Sequence, residues 1–289
     1  MARRRPLTTF LLLAYGIGWP ALMVPVVTDL PPEPFLLVLL FLALLGPALL
    51  VTRWVDGPGA IRRLLGRTLI WRFGIGRWAV VLLAMPVLTL LLAAGSGTLE
   101  TPERGWAIEV GLYLFSTLIF GALVANLWEE TAWGGFVQTR LMARHGLLVG
   151  SLLTAPLFAA IHIPLQLGGG ASWSESGFGL LVLFVTAPFY RYLLGMHLLD
   201  TGGSILAIAV QHAAWNASGN LAAVDGEWQV VVAAVLLTLL VAAGRHAWPR
   251  EDAPRGLAEE KVAAAGWMSV EPALRSSGRT RSGPATPSA

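Results

Sequence analysis

Long apolar runs, repeated almost to the end of the chain, are what most restrict the fold. They cover Leu7–Val27, Phe35–Val51, Trp78–Ala94, the stretch from Ile108, Leu147–Leu167, Phe178–Leu199, Ser204–Leu221 and Trp228–Ala243. A membrane-crossing helix needs about 20 mostly apolar residues, and backbone in lipid must satisfy its own hydrogen bonds. Only 13% of the residues are charged, against about 25% in soluble domains. The sequence therefore predicts an all-α, polytopic membrane helical bundle with about eight transmembrane helices. Residues 1–248 read as the membrane domain. Residues 249–289 are rich in Arg, Pro, Ser, Gly and Glu and read as a mostly disordered cytoplasmic tail, with a short helix at Gly256–Ala265.

Arginine placement predicts an orientation. Arg53, Arg62, Arg63, Arg67, Arg72 and Arg77 lie in one connection, whose pattern suits an amphipathic segment on the membrane surface. This connection, the amino terminus, residues 140–145, residues 191–200 and the tail all fall on one side. The arginine-poor connections 28–34, 95–107, 168–177 and 221–227 fall on the other. By the positive-inside rule the basic side and both termini are cytoplasmic, in a cell membrane and most simply a bacterial one. No cysteine is present, which excludes disulfides, a thiol nucleophile and cysteine-type zinc sites. The net charge of +3 is small and there is no nucleic-acid patch, which leaves membrane lipids as the partner the composition implies.

Against this apolar background the pair Glu129-Glu130 stands out, because an ionisable residue at membrane depth marks a functional site and needs partners inside the bundle. At ~1.5 Å per helical residue, Glu129 and Glu130 lie ~16 and ~15 Å from Arg140. His162 lies ~22 Å from the start of its span, and His212 and Asn216 lie ~12 and ~18 Å from Ser204. All five fall in the middle zone of a hydrocarbon core ~30 Å thick. Three helices supply them, so convergence is expected. His212 and Asn216, four apart, share a helical face, as do Phe158 and His162. The glutamates differ by about 100° around their helix, so both can point inward at different targets.

A carboxylate beside histidines can serve as general base toward water, and His212 with Asn216 can donate to an oxyanion. Equally, Glu129, His162 and His212 could bind a divalent metal such as zinc with a position left for water. Neither His-Glu-x-x-His nor Gly-x-Ser-x-Gly occurs. A proton-coupled transporter would predict an internal repeat, and none is present.

The motifs Glu129-Glu130-Thr-Ala-Trp-Gly-Gly-Phe, Phe158-Ala-Ala-Ile-His162 and His212-Ala-Ala-Trp-Asn216, over about residues 108–221, resemble the CAAX prenyl protease and bacteriocin-processing family of intramembrane endopeptidases. The resemblance implies a bundle with a conical catalytic cavity open to membrane and cytoplasm. It also implies that Glu129 and His162 activate water, Glu130 orients the site, and His212 and Asn216 stabilise the oxyanion. It leaves metal dependence open. The chain departs from the pattern at one place. The family's Glu-Glu-x-x-x-Arg ends here on Gly134, and Arg140 lies roughly two turns away as the candidate substitute. The missing cation sets two readings side by side, an active peptidase and a weak or inactive scaffold or immunity-type protein. Restoring arginine at 134 is expected to raise proteolysis if the site is live.

Overall fold

The computed structural model describes residues 4–28, 30–168, 170–226 and 228–248. The tail expected over 249–289 lies outside the described residues. Among the described residues six helices are long and apolar enough to cross a membrane. The first are α1 (Pro6–Val27), α2 (Glu33–Asp56) and α4 (Ile75–Ser96), with the short α3 (Ala60–Gly66) between α2 and α4. The fourth, Trp106–Ile161, has 56 residues, far more than the ~20 that one crossing uses. It is broken at Gly146, whose φ of 77° and ψ of 172° no helix holds. It therefore divides into α5 (106–145) and α6 (147–161), where the sequence separates its fourth and fifth spans. After the four-residue α7 (Ile163–Gln166) come α8 (Trp173–Asp200), α9 (Ile205–Ser218) and α10 (Trp228–Ala247).

One expected span differs. Helix α9 has 14 residues, ~21 Å of rise against a core of ~30 Å. It is buried along nearly its whole length, with Ile205, Ala207, Ile208, Gln211 and His212 all enclosed. A helix encased in protein need not be apolar all round, which is why Gln211 and His212 are tolerated in it. Close approach comes from small residues: a Cβ placed on Gly121 of α5 would meet the Ala213 Cβ of α9 at 2.6 Å.

Local signals set the helix ends. Ser172 and Glu175 form a capping box that starts α8, with Ser172 Oγ accepting from the Glu175 amide and Glu175 Oε2 accepting from the Ser172 amide. Ser204 caps α9 by accepting from the Ala207 amide at 3.0 Å, and it donates to the Ile70 carbonyl at 2.6 Å. Near one face of α5, Phe10, Trp133 and Phe158 meet edge to face with centroids 5.9 and 5.8 Å apart.

The two ends of the bundle differ. At one, the arginine-rich connection joins the α8–α9 turn. The Arg67 Nε donates to the Gly203 carbonyl at 2.9 Å and its Nη1 to the Gly135 carbonyl at 3.0 Å. Arg67 is thus buried (3% exposed) and bonded to protein, whereas the sequence pattern put it on a membrane-surface segment. Arg140 pairs with Asp56 and Arg245 with Asp200 at the same end. At the other end, the α4–α5 and α9–α10 connections are tied together. Leu99 and Val224 form an antiparallel bridge, and the Glu100 amide donates to the Ala223 carbonyl at 2.9 Å.

Candidate active site

The adjacent glutamates of α5 face different ways. Wider i→i+5 hydrogen bonding flanks them, over Ser116–Asn126 and Trp133–Gln138, a geometry that often marks functional positions in helices. The Glu129 side chain is 14% exposed and lines a cavity of about 1040 Å³. The Glu130 side chain is fully buried and points away from that cavity toward α8 and α9.

Around Glu129 the contacts are long. Its Oε1 lies 3.5 Å from His162 Nε2, and the Asn126 amide nitrogen lies 3.5 Å from its Oε2. Glu129 Oε1 and Asn126 Oδ1 are buried acceptors with no hydrogen-bond partner. His162 follows the last residue of α6, and its Nδ1 is 2.8 Å from the Phe158 carbonyl. That carbonyl accepts, so Nδ1 carries the proton and, in the neutral ring, Nε2 presents a lone pair toward Glu129. Two acceptors facing one another call for a donor between them. A water molecule set to one side of that line can reach both at ~2.8 Å.

Around Glu130 the contacts are short. The Arg191 Nη1 donates to Glu130 Oε1 at 2.9 Å and to Oε2 at 3.1 Å, and His212 Nδ1 lies 2.9 Å from Oε1. Gln138 in turn fixes the arginine. Its Oε1 accepts from Arg191 Nε at 2.9 Å and Nη2 at 2.6 Å, while its Nε2 donates to the Arg191 carbonyl at 2.7 Å. Arg191 is fully buried and sits 5.0 Å from the Phe158 ring centroid. This chain of bonds compensates the charge at each step, as a buried ion pair must be to persist. It also fixes His212 through its Nδ1, leaving Nε2 as the ring nitrogen without a partner among the described residues.

All four of Glu129, His162, His212 and Asn216 line the one cavity, and Glu130 stands behind His212. The five expected residues do converge. A smaller cavity of about 360 Å³ reaches His162, His212 and Asn216 from the α8–α10 side, past Val182 and Val231. The large cavity does not take the expected direction toward the basic end. Its lining continues to Glu100, Thr101 and Arg104 and to Leu221 and Ala222, so it runs to the arginine-poor end of the bundle.

Sequence reasoning missed Arg191, which it counted with the basic edge of α8, and Gln138. Arg140 is not the substitute for the arginine absent at 134, because it pairs with Asp56 and stacks on the Phe136 ring at 3.9 Å. The cation beside Glu130 comes from α8. Nor is position 134 free: a Cβ there would lie 2.2 Å from Ile208 Cδ1 and 2.9 Å from Glu130 Oε2. His162 and His212 each bond to protein through Nδ1, to the Phe158 carbonyl and to Glu130, which leaves Nε2 as the ligand atom a metal would use. Among the described residues no group of three or more His, Asp and Glu is arranged to hold an ion.

Residues 111–218, which contain all three motifs, match the model of a known family, the type II CAAX prenyl endopeptidase Rce1-like proteins. No curated protein matches the chain.

Proposed function

Since its motif-bearing core belongs to the Rce1-like family of CAAX-type endopeptidases, we propose that this multi-pass membrane protein hydrolyses a peptide bond inside the membrane. Water activated by Glu129 is the nucleophile. The observation that carries the reading is Glu129 Oε1 and His162 Nε2 turned toward one another, 3.5 Å apart on the cavity wall. Water held between them loses a proton to Glu129 as its oxygen attacks the substrate carbonyl carbon. The Asn216 amide and the ring of His212, positioned by Glu130, stabilise the oxyanion. When the C–N bond breaks, the Glu129 carboxylic acid returns the proton to the leaving amine. Positioned acid–base groups of this kind contribute about 10²–10⁴-fold, and one oxyanion donor about 10²–10³-fold.

The alternative of an inactive scaffold or immunity-type protein drew its support from Gly134 and the cation missing there. Arg191 supplies a cation to Glu130 directly, which favours the active reading. The substrate is a peptide or a membrane protein. Quantitative proteomics of membranes from cells carrying the wild-type chain or Glu129→Gln tests the proposal. Full-length substrates should accumulate, and their shortened products vanish, with the variant. Identical membrane proteomes would sink it.

A further inference from the structure

The two ends of the bundle carry different charges, and the catalytic cavity reaches only one of them. At the basic end lie Arg62, Arg63, Arg72 and Arg77 with Arg140, Arg144 and Arg245. At the other, Arg104 is the one arginine among the described residues, and Glu33, Glu100, Glu103, Glu175 and Asp225 lie at the same end. Helix α4 separates the ends, with Arg77 at its start and Gly97 capping its finish; its 22 residues rise ~33 Å. The site is nearer the acidic end. His212 is six residues from Ser218 at the close of α9, ~9 Å of rise, and Asn216 only two. The α6 helix gives way at His162 to the short α7, which leads to the same end.

From this we propose that the cavity receives its polypeptide from the extracytoplasmic side, and that the chain crossing its mouth is positively charged. The side follows from the arginine asymmetry, because arginine counts in short loops fix which end stays in the cytoplasm. The charge follows from the mouth, which Glu100 and Glu103 line with Arg104, while Glu109 is buried and accepts from the Ala222 amide at 2.7 Å; a cleft lined mainly by one sign of charge concentrates ligands of the other. Deeper in, Leu36, Leu39, Leu40 and Phe120 accept apolar residues. At the floor, Asn126 is 3% exposed, and among the described residues its Oδ1 is a buried acceptor without a partner. Such an acceptor calls for a donor, and a backbone N–H group of an extended peptide supplies it. That a peptide occupies the cavity rests on the peptidase reading; the direction the cavity faces does not.

The chain has no cysteine, so single cysteines report without background. Thr101→Cys at the mouth, Ser116→Cys on the cavity wall and Leu69→Cys in the basic connection are made in the full chain. Intact cells are then treated with a membrane-impermeant maleimide. Thr101→Cys and Ser116→Cys should label before permeabilisation and Leu69→Cys only after it. The reverse pattern, or equal labelling of all three in intact cells, overturns the assignment of side. Two synthetic peptides with one Leu/Ala stretch, flanked by lysines or by glutamates, then compete for the cavity. The lysine-flanked peptide should slow labelling of Ser116→Cys severalfold more than the other, and equal or absent protection overturns the charge assignment. Neither arm needs cleavage. If the proteome comparison with Glu129→Gln fails, both results still stand or fall on their own.

Discussion

Arg191 of α8 holds Glu130 of α5 by both carboxylate oxygens, and the same carboxylate holds His212 of α9. One buried ion pair therefore joins three helices and sets the position of a histidine on the cavity wall. Its worth is measured by what is left when one partner goes.

Removing the guanidinium strands a carboxylate at a fully buried position. Arg191→Met should lower stability by about 3–5 kcal/mol, the usual penalty for breaking a buried pair. Adding Glu130→Gln removes the stranded charge, so the double variant should unfold at a higher temperature in detergent than Arg191→Met alone. Additive losses would mean that the arginine does not act through Glu130.

Glu129 and Glu130 should separate cleanly by readout. Among the described residues the polar contacts of Glu129 are 3.5 Å long, so Glu129→Gln should leave the unfolding temperature unchanged while cleavage falls by about 10²–10⁴. Glu130→Gln should shift both. If the two substitutions behave alike in both assays, the division between a front and a rear carboxylate is wrong.

Gly134→Arg is expected from the motif pattern to increase proteolysis; the packing predicts a loss. Even the first carbon of any side chain at 134 runs into Ile208 Cδ1 at 2.2 Å, and overpacking of this kind destabilises by about 1–3 kcal/mol. Gly134→Ala should show that loss in a thermal melt. Ile208→Val, which lacks the offending methyl, should return part of it. A Gly134→Arg protein with raised activity and unchanged melting would contradict this account of the site.

Asn216 is exposed on the cavity wall, and among the described residues its side chain has no hydrogen-bond partner. Asn216→Ala should therefore reduce kcat by about 10²–10³ with little change in KM or in stability. A stability loss with kcat intact would make it a structural contact between helices.

Much of this could be read in the sequence, for a definite reason. Apolar length and arginine placement report on lipid and water, which act on each residue separately, so helices and connections follow from the chain alone. Glu129, Glu130, His162, His212 and Asn216 were legible because lipid has no other use for them. Arg191 was not, although it lies nine residues from Asp200, ~14 Å of rise into α8. Grouping it with the edge arginines hid the same depth argument that exposed the glutamates. Its partner Gln138 could not be found at all, since pairing across α5 and α8 depends on helix rotation. Arg67 failed differently: a surface pattern in sequence says nothing about which carbonyls, here Gly135 and Gly203, a neighbouring segment turns toward it.

The shortness of α9 bears on how the protein is made. A segment of 14 residues that contains Gln211, His212 and Asn216 gains too little from lipid to leave the insertion machinery by itself. At a helix centre single charges alone oppose insertion by about 2.5–3.5 kcal/mol, and strongly polar groups add in the same direction. Helix α9 must wait for a protein surface to receive it, and that surface is α4 and α5, synthesised well before. The helix that brings His212 to the carboxylate therefore depends on helices made before it, and a nascent chain has no assembled site until α5 and α9 have met.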